Sequence, residues 1–380
     1  MIWEGLYFSN TGYAEATRRY VLALDDLGIP VTVRPTDSLA GRYRIRREEL
    51  EQIHALAFRE PQKGDLRVQH ARPPTFTQDH GACANVGYTV FETDRLPRHW
   101  VGACNEMDEI WVPSRFCVES FLAAGVSPAK LQVIPHGVDA NRFGPHVPAL
   151  EIDGAQGFIF LSVFRWSKRK GWDVLLRAYL SEFHADEEVC LVIRASGLSQ
   201  AELADFVASE FGRGSRPTVV LLPFTIPDAL LPSLYAAADA FAVPARGEGW
   251  GMPYSEAMIT GLPTIATNWG GHLEYMSNEN AYLVEAEGLV PIDEEMQQAT
   301  EAEPYHHWAE PSVDHLRQLM RWVFEHREEA SSKGLAAREY MTRNFTWQHA
   351  ALRICERAKS LTGLRSPGQA SKPSVERSFW

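Results

Sequence analysis

Short runs rich in β-branched and aromatic residues alternate with longer stretches of helical period through most of this 380-residue chain, and the alternation stops once and then restarts. A strand that pairs in parallel with its neighbour needs a crossover, which a helix supplies, so repeated strand–helix units build a mostly parallel sheet covered by helices. Candidate strands fall at 2–8, 31–34, 66–70, 86–91, 109–113 and 131–135, then at 158–164, 189–194, 218–223, 240–244 and 263–267. Between 136 and 157 the pattern lapses into a Gly- and Pro-bearing connection. The expected architecture is α/β: two Rossmann-like, doubly wound domains at 1–143 and 158–344, joined by a linker at 144–157 and facing across a cleft. Ligands bind such folds at the carboxyl ends of the strands. Residues 312–326, 328–344 and 347–360 read as helices, and the polar, Ser- and Pro-rich tail 364–380 as disordered.

Composition removes several function classes. Against 37 Lys+Arg stand 49 Asp+Glu, a net charge of −12, so a phosphate backbone is repelled and nucleic acid is not an expected partner. The five cysteines form no C-x-x-C pair, so neither a zinc ribbon nor a disulfide framework is indicated, and reduced thiols in the cytoplasm are the simpler reading. No apolar run approaches a membrane span, and the first residues lack the features of a signal peptide.

The most informative segment is RGEGWGMPYSE, residues 246–256, between an apolar strand and a helix-like run. Its glycines permit close approach of the backbone to a ligand, and the amides opening the helix suit an anion. Glu248 and Glu256 can line one pocket, where carboxylates accept hydrogen bonds from the vicinal hydroxyls of a sugar. A surface turn before a solvated amphipathic helix is the plain alternative. The G-x-G-x-x-G spacing of a dinucleotide site is not met. No Lys or Arg occurs between Arg246 and Arg317, so a phosphate here needs cations from elsewhere. The run FRWSKRKG, 164–171, offers them at a strand's carboxyl end: Arg165 and Lys170 are expected to face the cleft, with Lys168 and Arg169 exposed. In SNTGY, 9–13, Gly12 either lets amides reach a phosphate or serves a plain turn.

These segments together resemble a known family. EGWGMPYSEAMITGLPTIATNWGG is similar to the signature E-G-[FW]-G-x-P-x-x-E-A-M of retaining glycosyltransferase family 4, the group 1 glycosyl transferases of GT-B fold. Arg165 followed by Lys170-Gly171 matches the family's basic pair. EIWVPSRFCVESFLAAGVSPAKLQVIPHGVDANRF resembles the end of its first domain, and FTWQHAALRICERA the final helix, here 345–363, that crosses back to that domain. The likeness covers about residues 84–360 and fades before them.

The resemblance implies an acceptor-side first domain, a nucleotide-sugar-binding second domain, and hexosyl transfer from a UDP- or GDP-sugar with retention. No cofactor or obligatory metal is implied: Arg165 and Lys170 would neutralise the diphosphate, and the chain has no D-x-D. Glu248 would contact the donor sugar and Glu256 the ribose. The amides of Gly251, Met252, Pro253 and Tyr254 would hold the distal phosphate or sugar, with Gly12 opposite and Phe224 by the base. His70 is the candidate at the reacting carbon, or else a buried or loop histidine. Glu92 either serves the acceptor or caps a helix near Pro97. The run RYRIRR, 42–47, gives Arg44 and Arg46 as contacts for an anionic acceptor or a membrane surface, or else a solvated helix entry. The adjacent His306 and His307 read as surface residues. A carbohydrate, lipid-linked or small-molecule acceptor and a cytoplasmic setting, either free or peripheral to the inner face of the membrane, complete the expectation. A catalytically silent nucleotide-sugar-binding subunit is the alternative.

Overall fold

A computed structural model of the chain describes residues 1–38, 45–212, 214–224 and 226–363. The expected tail at 364–380 and Arg44 lie outside them. Two six-stranded parallel sheets carry the chain. The first is built from β1 (Ile2–Gly5), β2 (Thr32–Pro35), β3 (Leu66–His70), β4 (Ala84–Tyr88), β5 (Glu109–Val112) and β6 (Leu131–Val133), in the order β2-β1-β3-β4-β5-β6. The second comprises β7 (Phe158–Arg165), β8 (Val189–Ser196), β9 (Thr218–Leu222), β10 (Ala240–Val243), β11 (Thr264–Thr267) and β12 (Tyr282–Val284), in the order β12-β11-β10-β7-β8-β9. In each sheet the winding reverses once, between β1 and β3 and between β7 and β10, and crevices open at those reversals.

Helices α1 (Gly12–Asp26), α2 (Arg47–Ala57), α3 (Arg98–Glu106) and α4 (Arg115–Ala124) cover the first sheet. In β5, Trp111 packs into the cluster with Trp3, Tyr20 and Tyr88, while Ile110 and Val112 pack into the one with Phe91, Trp100 and Phe121. That is the two-residue period of a strand buried on both faces. The second lobe adds α5 (Trp172–Glu182), α6 (Gln200–Phe211), α7 (Leu231–Ala236), α8 (Met252–Thr260), α9 (Glu294–Thr300), α10 (Val313–Glu325) and α11 (Arg327–Asn344).

Two straps tie the lobes together. Helix α12 (Trp347–Gly363) returns to the first lobe, burying Trp347, Ala351 and Ile354 among its core residues, and Arg357 pairs with Glu109. The other strap is an antiparallel ribbon, β13 (Ala286–Pro291) with β14 (His307–Pro311), closed around α9. It sets Ile292, Met296 and Trp308 into the first lobe's cluster around Phe91 and Trp100. Asp94 of the first lobe accepts from the His307 amide at 2.7 Å and donates its own amide to the His307 carbonyl at 3.0 Å. The ribbon was not legible in the sequence, because its strands are 15 residues apart and β13 is largely exposed. His306, expected at the surface, is fully buried there, its ring hydrogen-bonded to Glu303 at 3.0 Å.

Candidate active site

The two reversal points face each other across a cavity of about 510 Å³. Of the residues singled out above, Gly12, His70, Glu92, Arg165, Lys170, Glu248, Gly251, Met252, Pro253 and Glu256 line it. Tyr254, Phe224 and Arg46 do not.

The loop after β10 is held from behind. Arg246, 2% exposed, forks onto Asp173 at 2.7 and 3.0 Å and onto Glu310 of β14 at 2.6 and 2.7 Å. The glycines that follow serve two purposes. A Cβ on Gly247 would stand 2.1 Å from the Glu92 carbonyl, and one on Gly249 would stand 2.0 Å from Val90, so both make room for the first lobe rather than for a ligand. Gly251 alone of the three has positive φ, +83°, the turn that starts α8 and aims its first amides at the cavity. Pro253 has no amide hydrogen, and the Tyr254 amide is already donated to the Gly251 carbonyl. The expected four-amide cradle is therefore corrected to Gly251 and Met252. Tyr254 is core, 1% exposed, its hydroxyl donated to the Val243 carbonyl at 2.7 Å.

The basic run after β7 folds as a single 3₁₀ turn that divides its cations. Arg165 is exposed at the cavity wall and Lys168 points to solvent. Arg169, expected to be exposed, turns inward: it donates to the Gly247 carbonyl at 2.6 Å and stands 3.4 Å from Glu248 and 3.6 Å from Glu92. Lys170 pairs directly with Glu248. Burial alone would raise the Glu248 carboxyl, but Lys170 and Arg169 hold it below the usual range, so it is ionised. Burial pulls the Lys170 ammonium below its ordinary value, and Glu248 only partly offsets this.

On the first lobe, His70 is 1% exposed at the end of β3. Thr17 gives its hydroxyl hydrogen to the Tyr13 carbonyl at 2.8 Å and lies 2.9 Å from His70 Nδ1. A hydroxyl has one hydrogen, so it accepts from His70 and fixes the proton on Nδ1, leaving Nε2 as an acceptor. Burial keeps the ring neutral, its pKa well below the ordinary value. Glu92 lies at the cavity and caps nothing: the helix that begins after Pro97 has no side-chain cap.

Glu256 lines the cavity beside Tyr235, whose hydroxyl it accepts at 2.7 Å. Burial pushes its carboxyl up to about 7. Phe224 is 57% exposed and off the cavity, where Arg194, Ser196, Ile226 and Leu231 stand instead. Arg46 is spent on Glu49 at the start of α2. The sequence reading also missed Arg142, which lines the cavity and joins the lobes through Glu15 at 3.2 Å and Asp228, and His136, buried against Tyr20 and Tyr88. Both lie where the strand–helix rhythm lapses, so no pattern marked them.

A family model for glycosyl transferases group 1 matches residues 155–300. Together with the GT-B arrangement of lobes, this decides the class of enzyme. The chain is a glycosyltransferase whose second lobe matches the group 1 family. This glycosyltransferase is 26% identical over 297 residues to the GDP-mannose-dependent alpha-(1-6)-phosphatidylinositol monomannoside mannosyltransferase of Mycolicibacterium smegmatis, covering 75% of this chain and 69% of that protein. It is 33% identical over 197 residues to the D-inositol 3-phosphate glycosyltransferase of Rhodococcus jostii, covering 49% of this chain but only 37% of that one. The crystal structure of Anabaena HepE in complex with UDP and glucose shares the fold, with a TM-score of 0.64 at 15% identity over 94% of this chain and 99% of that chain.

Glu256 gives a pH-dependent prediction for the glycosyltransferase. Its folded pKa lies above the ordinary carboxylate value, so its ionisation opposes folding: the cost is absent below about pH 4.5, grows towards pH 7 and then stays constant. Glu256→Gln, which still accepts from Tyr235, is expected to gain up to about 3 kcal/mol of stability at pH 8 and almost none at pH 4.5. Urea denaturation at the two pH values checks this; an equal gain at both contradicts it.

Proposed function

We propose that the cleft moves a hexosyl group from a nucleoside-diphosphate sugar to an acceptor hydroxyl, with retention of anomeric configuration and no resident metal. One observation carries the reading: Arg165, Arg169, Lys170, Glu248 and the Gly251–Met252 amides share a single cavity at the facing reversal points. Cleavage of the sugar–phosphate bond loads negative charge onto the leaving diphosphate. Fixed cations and a helix N-terminus stabilise that charge without reorganising, each worth about 3 kcal/mol in a dry site. Glu256 accepts from the ribose hydroxyls, and Glu248 and the His70 Nε2 lone pair act on the sugar. The bond from the anomeric carbon to the phosphate oxygen breaks, the acceptor oxygen bonds to that carbon on the same face, and the acceptor proton passes to the departing phosphate oxygen.

The Mycolicibacterium relative's name carries GDP-mannose and a phosphatidylinositol mannoside, and the Rhodococcus relative's an inositol phosphate. A polyol or sugar hydroxyl, free or lipid-linked, is the acceptor class proposed, with turnover at the inner face of the membrane. No helix among the described residues is long and apolar enough to cross a membrane. The test is NMR of the first-formed product from UDP- and GDP-sugars, with and without EDTA. The donor's anomeric configuration and unchanged turnover in EDTA are expected; an inverted product or loss of turnover refutes the corresponding part.

A further inference from the structure

We infer that Arg194 reads the base of the donor and makes this enzyme selective for guanine nucleotides. The inference rests on the glycosyltransferase reading above and names the nucleotide it leaves open.

Arg194 lies near the carboxyl end of β8, opposite Val163 of β7, and lines the cavity half-buried. Among the described residues its side chain has neither ion pair nor hydrogen bond, and its Nε is buried with no partner. The other arginines differ. Arg142 and Arg169 are matched to carboxylates, and Arg165 is exposed to water. A guanidinium drawn out of water with its donors unmet is costly unless a ligand meets them. Among the described residues no carboxylate contacts it, although Tyr235 and Glu256 act on Arg194 through space.

Its position separates it from the phosphate site. The helix N-terminus and Glu248 follow β10, which flanks β7 on one side, whereas Arg194 belongs to β8 on the other. A nucleotide whose phosphates meet the cations and whose ribose meets Glu256 extends its base towards Arg194, between the apolar side chains of Ile226 and Leu231. A guanidinium presents paired donors in a rigid fork, and O6 with N7 of guanine is the acceptor pair that matches it. Adenine replaces one of these acceptors with an amino donor. Uracil sets an N–H donor beside O4. Of these three bases, guanine alone satisfies the fork at two points.

Titration calorimetry of the full chain with GDP, UDP, ADP and 7-deaza-GDP tests this. GDP is expected to bind roughly 10- to 100-fold more tightly than UDP or ADP, and 7-deaza-GDP, which lacks the N7 acceptor, to fall well below GDP. Arg194→Leu and Arg194→Lys are both expected to remove most of the GDP preference while UDP binding stays within about 3-fold, which also reports that each variant is folded. UDP binding as tightly as GDP in the unaltered chain overturns the inference. So does an equal loss of GDP and UDP in the variants, which makes Arg194 a phosphate or ribose contact. In both cases the glycosyltransferase reading stands, whereas binding of none of the four nucleotides overturns both.

Discussion

Lys170→Ala is expected to lower kcat by about 100- to 1,000-fold, with a smaller change in KM. The ammonium has 13% exposure, is paired with Glu248 and sits at the cavity that the leaving diphosphate would occupy. Its charge is worth most when the phosphate oxygen carries the full negative charge of bond cleavage, so its loss falls on the transition state more than on the ground state. The variant should nevertheless fold. Glu248 keeps Arg169 at 3.4 Å, so the buried carboxylate is not abandoned, and the loss of stability should stay well below the 3–5 kcal/mol typical of a charge left wholly unpaired. Lys170→Arg, which keeps the charge but changes the geometry, should recover part of the rate. Steady-state kinetics together with a melting curve checks the prediction; a fall in kcat of less than about 10-fold would remove Lys170 from the proposed chemistry.

Trp308→Ala is expected to cost about 3–5 kcal/mol of stability. Trp308 is 1% exposed and belongs to the ribbon of the second lobe, but its packing partners, Phe91, Leu96, Trp100 and Phe121, belong to the first. Deleting the indole leaves a cavity at a seam between lobes, where the bonds between Asp94 and His307, the Arg98 amide to the Glu303 carboxylate at 3.3 Å and the Arg72 side chain to the Ala299 carbonyl at 2.9 Å are among the ties. Denaturant unfolding followed by far-UV dichroism should therefore shift its midpoint strongly. A loss under about 1 kcal/mol would mean that the ribbon merely rests on the first lobe.

The legible parts of this protein were those with local causes. The strand–helix rhythm, the glycine-punctuated loop before α8 and the basic run after β7 each depend on residues within one turn or one strand, so spacing alone exposes them. Arg169 and Lys168 show where that reasoning stops. Neighbours in one charge run, they part only because a 3₁₀ turn points one inward and the other out. Phe224 failed for a similar reason: the chain after β9 carries it outward, and the cavity wall is completed by Ile226 two residues later. The amide cradle shrank because proline has no N–H and the Tyr254 amide closes its own turn.

From the sequence alone came two doubly wound lobes, a cleft between them and the motif that resembles the signature of the group 1 glycosyl transferases, because hydrophobic period and glycine spacing act over short distances. The tertiary structure decided which cations enter the cleft, that His70 keeps its proton on Nδ1, that Gly247 and Gly249 yield space to the opposite lobe, and that a ribbon from one lobe is buried in the other. Each of these depends on contacts between segments far apart in the chain, whose mutual distances are set only when the two sheets pack face to face.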